Sequence, residues 1–202
     1  LPYFMDRPVA RLALELELDV PERNLRVALS GAAESFNSKV QFRQLAESCG
    51  APIARGQMAT TAEELGSAIS SLISDTGRVM IKQNRNSGGA GNTAVTLHGE
   101  TMITGAWDVV DGRNRDLVAL GKELWPNIAI QRNTEVVVEA YQTNEKVWYS
   151  ELFIPGDGSG PKVCNFGEMR MTPTFSGIDL PGETTSRFDL ARMIGYSELL
   201  AE

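Results

Sequence analysis

The residues with the most chemical potential in this 202-residue chain are Lys82 and the run that follows it, Asn84-Arg85-Asn86-Ser87-Gly88-Gly89-Ala90-Gly91-Asn92. A lysine at the end of a buried strand is held in place, and glycines let backbone N–H groups approach an anion closely. Together they suit a polyphosphate. The run contains neither the GxxxxGK[ST] phosphate loop nor the GxGxxG dinucleotide fingerprint, so it belongs to neither of those classes. Standing alone, Ser87 to Gly91 reads equally well as a surface hairpin and Lys82 as a solvated strand-end charge.

Two further features flank the run. Lys39, in Asn37-Ser38-Lys39, opens a helical pattern 43 residues upstream (82 − 39), and Val136-Val137-Val138-Glu139-Ala140-Tyr141 follows downstream as an apolar strand with an acid at its exit. Other conspicuous residues carry less. His98, the single histidine, reads as a strand or loop residue. Trp107, Trp125 and Trp148 follow no spacing and are expected in core or cleft packing.

The elements that must position these groups are well punctuated. Asn37 or Ser38 caps a helix whose Phe42, Leu45, Ala46 and Cys49 fall at i, i+3, i+4 and i+7, and Gly50 closes it. Thr61 and Glu64 make a capping box ahead of a stripe of Leu65, Ala68, Ile69, Leu72 and Ile73, ended by Asp75-Thr76-Gly77. Val79 to Lys82 predicts a short buried strand. Leu117, Leu120 and Leu124 predict a third helix stopping before Pro126. Lys146 to Ile154 and Lys162 to Met171 predict a hairpin around Asp157-Gly158-Ser159-Gly160, and Ser186 predicts a cap for a helix bearing Phe188, Ala191, Met193 and Ile194.

Bulk properties narrow the classes. The net charge is 19 − 26 = −7 with scattered basic residues, which argues against nucleic acid as a partner. Apolar runs such as Val136 to Val138 fall far short of the roughly 20 residues a membrane span needs. Cys49 and Cys164 lack CxxC spacing, so neither a disulfide framework nor a zinc site is expected, and a reducing cytoplasm fits. The opening Leu1-Pro2-Tyr3-Phe4 has no methionine, and Leu199 to Glu202 closes inside a helical pattern, so an incomplete fragment is expected.

The order of these features, a lysine at a helix start, a strand-end lysine, a glycine-rich loop and an apolar strand ending in Glu-x-Tyr, resembles the ATP-grasp superfamily over about Asn37 to Glu151. The resemblance implies an α+β fold in which two subdomains grip ATP. Residues 1–36 would be the tail of a preceding, pre-grasp domain, 37–140 the small subdomain with its glycine-rich lid, and 141–202 the start of the large one. It implies that Lys39 reaches a phosphate or the adenine side and that Lys82 contacts the α- and β-phosphates. Ser87, Gly88, Gly89 and Gly91 would close over the β- and γ-phosphates. Glu139, Ala140 and Tyr141 would form the hinge, with the Glu139 and Tyr141 backbone recognising adenine. Glu145 would take the ribose hydroxyls, although it lies six residues past Glu139 where the family often has seven.

The expected cofactors are ATP and magnesium. The family's late Glu-x-Asn that holds magnesium is not found, and Glu183, Glu198 and Glu202 lack its spacing, so those ligands are expected beyond residue 202. Arg170 sits on a strand that could aim it at the γ-phosphate or the acyl phosphate, against the plainer reading of a surface arginine paired with Glu168 or a neighbouring strand. The implied activity is a carboxylate–amine ligase forming an amide or peptide bond through an acyl phosphate. Its partners would be ATP and carboxylate- and amine-bearing small molecules or peptides, in a setting such as secondary-metabolite biosynthesis. The alternatives are an ATP-grasp carboxylase or kinase-like member, a non-catalytic or regulatory nucleotide-binding module, and a generic α+β interaction domain.

Overall fold

The starts of several helices fall where a side-chain oxygen can accept otherwise free amide protons. The computed structural model describes residues 5–130, 133–143, 146–155, 159–180 and 187–201, with the side chains of 187–190 left aside. Three short helices come first, α1 (Arg7–Glu15), α2 (Glu22–Ser30) and α3 (Ala32–Phe36). Asp6 caps α1 by accepting from the Val9 amide at 3.0 Å. α4 (Lys39–Ser48) begins at Ser38, whose hydroxyl accepts from the Gln41 amide at 3.2 Å, as the sequence predicts.

The inward face of α4 is a correction. Val40, Arg43 and Ala46 are buried, whereas Phe42 and Leu45 are 51% and 44% exposed. The helix turns toward the sheet the face on which Arg43 finds a carboxylate partner, and apolar spacing alone carries no information about that ion pair.

β1 (Gly56–Ala59) leads into α5 (Ala62–Thr76). The Thr61 hydroxyl accepts from the Glu64 amide at 3.2 Å, while the Glu64 carboxylate reaches one residue further back than a standard box, to the Thr60 amide and hydroxyl at 2.7 Å each. Leu65, Ala68, Ile69, Leu72 and Ile73 are all buried, the stripe the periodicity predicts. Next come β2 (Arg78–Gln83), β3 (Thr93–Thr96), β4 (Asp108–Asp111), α6 (Leu117–Ile128) and β5 (Val136–Ala140). α6 runs through Pro126 instead of stopping before it. Proline's fixed φ is helical, so the chain continues through it at the expense of one bond to the preceding turn; the Ala129 amide closes the last turn on the Trp125 carbonyl at 2.8 Å.

β1 to β5 form one sheet in the order β1-β5-β2-β3-β4, antiparallel except for the parallel β3–β4 pair. Side chains alternate across it. Val79, Ile81, Val136 and Val138 face a core closed by α5 and α6, while Met80 and Ala94 face the opposite side with Ile103 and Ala106.

A second, antiparallel sheet joins β6 (Val147–Phe153), β7 (Lys162–Met171) and β8 (Phe175–Asp179), followed by α7 (Arg187–Ala201). β6 and β7 pair as the predicted hairpin. Asp157 and Gly158 of its turn, and Ser186, the predicted cap of α7, lie outside the described residues. α7 packs on β6, where the Ser150 and Ser197 hydroxyls meet at 2.6 Å. Met193 and Ile194 are half-buried, but Ala191 is exposed. The architecture is the α+β class expected, and among the described residues no helix is long and apolar enough to cross a membrane.

Candidate functional site

The pleat of β2 and β5 places Lys82 and Glu139 on the same face. Met80 lies opposite Glu139 and Lys82 opposite Val137, so Lys82 and Glu139 are diagonal neighbours on the side away from α5. Their side chains are ion-paired, Lys82 Nζ to Glu139 Oε2, and Arg43 Nη1 reaches Glu139 Oε1 at 3.3 Å. Arg43, with its side chain only 7% exposed, also donates to the Ala54 carbonyl at 2.9 Å and pairs with Glu47 at 3.1 Å. One half-buried carboxylate thus anchors two cations.

Lys39 is brought to this cluster by Asn84, the residue after β2. The Asn84 carboxamide oxygen accepts from the Ser38 hydroxyl at 2.9 Å and the Val40 amide at 3.1 Å, and its backbone carbonyl accepts from the Lys39 amide at 3.1 Å. The start of α4 is therefore fixed to the root of the glycine-rich run, and Lys39 Nζ donates to the Asn86 carbonyl. Burial, with the Lys82 ammonium adding to it and Glu139 opposing, lowers the Lys39 pKa to about 8. Three cations gather around one central carboxylate on a chain whose net charge is −7.

Beside the cluster lies a cavity of about 420 Å³ whose wall includes Met80, Lys82, Asn92, Glu139, Ala140 and Tyr141. Gln142, Val147 and Met171 extend the wall toward the second sheet, giving a slot with apolar sides and charge at one end. Gly88, Gly89 and Gly91 all take left-handed backbone, with φ of 62°, 86° and 71°. The run is tethered, since the Phe175 amide donates to the Gly88 carbonyl at 3.1 Å. Ser87 is exposed at its tip.

The structure thus groups Lys39, Lys82, Glu139, Ala140 and Tyr141 around the cluster and its cavity, with Ser87, Gly88, Gly89 and Gly91 on the run rooted there. Glu145 lies outside the described residues. One part of the hinge expectation needs correction: the Tyr141 amide already donates to the Arg78 carbonyl at 3.1 Å, so it is spent on the sheet edge rather than offered to a ligand. The Tyr141 hydroxyl donates to the Thr104 carbonyl at 3.1 Å, and burial pushes its pKa up. Arg43 was missed, and Asn84 and Asn92 were read only as the ends of the run, without a role of their own. Only the Arg43 position, one helical turn beyond Lys39, offers a signal of its own in the sequence.

Among the residues first weighed and set aside, His98 is exposed with its Nε2 3.3 Å from the Thr76 carbonyl. Trp125 packs on the core, but Trp107 is 71% exposed, against the expectation of core or cleft packing. Trp148 lies under the Lys146 ammonium, 5.7 Å from the ring centroid. Arg170 pairs across the sheet with Asp179 at 3.4 Å, the plainer of the two readings, and is not directed at the cluster by any contact. Magnesium requires several oxygen ligands. Among the described residues no group of three His, Cys, Asp or Glu could hold a metal, and Glu139 is committed to Lys82 and Arg43, so these residues do not by themselves fit a magnesium site.

No known family pattern and no curated protein matches the chain. Solved structures do. D-alanyl-alanine synthetase A from Vibrio cholerae aligns over 83% of this chain and 46% of its own, with 17% identity and a TM-score of 0.52. An ADP complex of N5-carboxyaminoimidazole ribonucleotide synthetase aligns over 91% of this chain and 44% of its own, with 17% identity and a TM-score of 0.56. The D-Ala:D-Ser ligase VanG from Enterococcus faecalis aligns over 82% and 45%, with 15% identity and a TM-score of 0.52. The chain spans about half the length of these proteins. At these identities the likeness is one of fold, the α+β ATP-grasp fold that these three proteins share.

Proposed function

We propose that the slot takes ATP and that this chain is the nucleotide-binding part of a ligase joining a carboxylate to an amine. The observation that carries this reading is the convergence of Lys39 and Lys82 at the root of the glycine-rich run, on the sheet face that lines an apolar slot. An adenine fits between Met80, Val147 and Met171, and the polyphosphate extends toward the ammonium groups, where a half-buried setting strengthens charge–charge attraction. The backbone amides of Ser87, Gly88, Gly89 and Gly91 then face the β- and γ-phosphates. The Ala140 and Tyr141 carbonyls and Gln142 stand at the adenine end, and Glu145, beyond the described residues, takes the ribose.

On this reading Glu139 holds Lys82 until phosphate replaces it. A carboxylate oxygen attacks the γ-phosphorus, ADP leaves, and the acyl phosphate is captured by an amine that loses a proton and expels phosphate. The chain supplies positioning and positive charge for these steps and needs no nucleophile of its own. Residues 1–36 act as the tail of a pre-grasp domain, 37–140 as the small lobe and 141–202 as the start of the large lobe, an order similar to the peptide ligase of pheganomycin biosynthesis. The neighbour that forms N5-carboxyaminoimidazole ribonucleotide keeps a different reaction on the same fold in play, so the acceptor is the open choice.

Calorimetric titration of ATP with magnesium into the protein tests the site. Lys82→Ala removes a charge-assisted phosphate contact and weakens binding by about 1.5–3 kcal/mol, roughly ten- to a hundredfold. Glu139→Ala costs less. Unchanged affinity in Lys82→Ala, or no binding by wild type, overturns the proposal.

A further inference from the structure

A second cavity, of about 330 Å³, is lined by Arg7, Gly31, Glu34, Ser35 and Arg85, none of which lines the slot described above. Its residues come from three places in the chain: the first turn of α1, the α2–α3 junction and the root of the glycine-rich run. Glu34 ties them together. Its carbonyl accepts from Arg85 Nη1 at 2.7 Å, and its carboxylate Oε1 accepts from the Arg7 amide at 3.2 Å. The Arg7 guanidinium is held by the Leu29 carbonyl at 3.1 Å and the Ser30 carbonyl at 3.3 Å, directly over Gly31. The φ of 83° at Gly31 calls for glycine here, and the Arg7 guanidinium lies across it, with Nη2 within 2.2 Å of where a Cβ would sit.

Three groups in this cavity lack the partners their chemistry calls for. Glu34 Oε2 is buried and accepts no hydrogen bond, a costly condition for a carboxylate oxygen. Among the described residues neither Arg7 nor Arg85 forms an ion pair, although a guanidinium in a partly enclosed site suits a carboxylate well. An acceptor short of a donor and two guanidiniums short of an anion, in one small cavity, are complementary to a molecule with an ammonium and a carboxylate on neighbouring atoms. We infer that this cavity binds the zwitterionic head of an α-amino acid, with its carboxylate against Arg7 and Arg85 and its ammonium against Glu34 Oε2. Ser35 stands at the same wall and offers a hydroxyl to either group. Because Arg85 is followed directly by Asn86, whose carbonyl holds Lys39, a ligand here bears on the root of the glycine-rich run without entering the slot.

NMR titration of the isotopically labelled protein tests this, with the Arg7, Gly31, Glu34 and Arg85 amides as the readout and no nucleotide present, so the result stands apart from that of the ATP experiment. L-alanine and D-alanine are the probes, with acetate, ethylamine and inorganic phosphate as single-charge controls. The expected result is saturable shifts at these amides with at least one alanine enantiomer, at an affinity about tenfold or more above acetate and ethylamine. Glu34→Gln, which keeps the shape, should weaken alanine about tenfold and leave acetate unchanged; Arg85→Ala should weaken both. Three results overturn the proposal: no saturable shift with either alanine, phosphate or acetate binding as well as alanine, or alanine binding unchanged in Glu34→Gln. The comparison among wild-type ligands holds even where a variant folds poorly.

Discussion

The two sheets are built to different densities. In β2, β3 and β5 nearly every side chain is buried, because α5 and α6 seal one face and Met80, Ala94, Ile103 and Ala106 seal the other. In β6, β7 and β8 the one fully buried residue among those described is Gly167, and Phe153, Phe175 and Ile178 are exposed. Burial is roughly proportional to stabilisation, so the five-stranded sheet carries its own stability. The three-stranded sheet depends more on attachments, such as the Phe175 amide on Gly88 and the Gly105 amide on the Pro173 carbonyl. The proposed nucleotide slot lies where the dense layer meets the looser one, with its charged groups on the dense side and Val147 and Met171 on the other.

The sharpest way to break this contrast is at the α5–α6 crossing. A Cβ at Gly121 would come within 2.2 Å of the Gly66 amide nitrogen and 2.4 Å of its Cα, so the helices touch backbone to backbone. Gly121→Ala must push them apart, and a closely packed interior resists that. The expected loss is about 2–3 kcal/mol in denaturant unfolding, or roughly 5–10 °C in melting temperature for a chain of this size. Gly160→Ala, with no atom within 4 Å, serves as the control from the looser region and should change little. Equal effects at the two sites would mean that the density difference has no energetic weight.

A smaller effect probes the boundary between the regions. Lys39 has its pKa lowered to about 8 in the folded chain from an ordinary 10.5. Between these values the unfolded chain holds a proton that the folded chain has released, so this group makes stability rise with pH across that window, and its cost is complete below pH 8. Lys39→Met should therefore be more stable than wild type at pH 7, with the gap closing from pH 8 to 10.5. On the proposed function, ATP draws on the charged form. Wild-type affinity should then fall by about tenfold as pH rises through 8, while Lys39→Met binds weakly with a flat profile. A flat profile for wild type would remove Lys39 from the phosphate end.

How much of this was legible in the sequence follows the same division. α5 could be read almost to the residue because its cap, its single apolar stripe and its terminal Gly77 all agree. Lys82 and Glu139 could be picked out by type and position, and strand alternation explains why they share a face. What could not be read was pairing at a distance. The choice of Arg43 over Phe42 as the inward residue of α4 depends on Glu139, 96 positions away. The engagement of the Tyr141 amide depends on which strand β5 lies beside.

The smallest effect tests the open side of the comparison. Gly195 lies inside α7, is exposed, and has no atom within 4 Å of where a Cβ would sit. Glycine within a helix costs backbone entropy that alanine does not, and nothing here compensates for it. Gly195→Ala should therefore stabilise the protein by about 0.5–1 kcal/mol, opposite in sign to Gly121→Ala. The measurement is the shift in urea midpoint at unchanged slope, since a changed slope would report on the unfolded chain instead. Loss of stability in Gly195→Ala would mean that this side of α7 is covered in solution, and the looser layer would then have to be regarded as packed on a surface that the described residues do not provide.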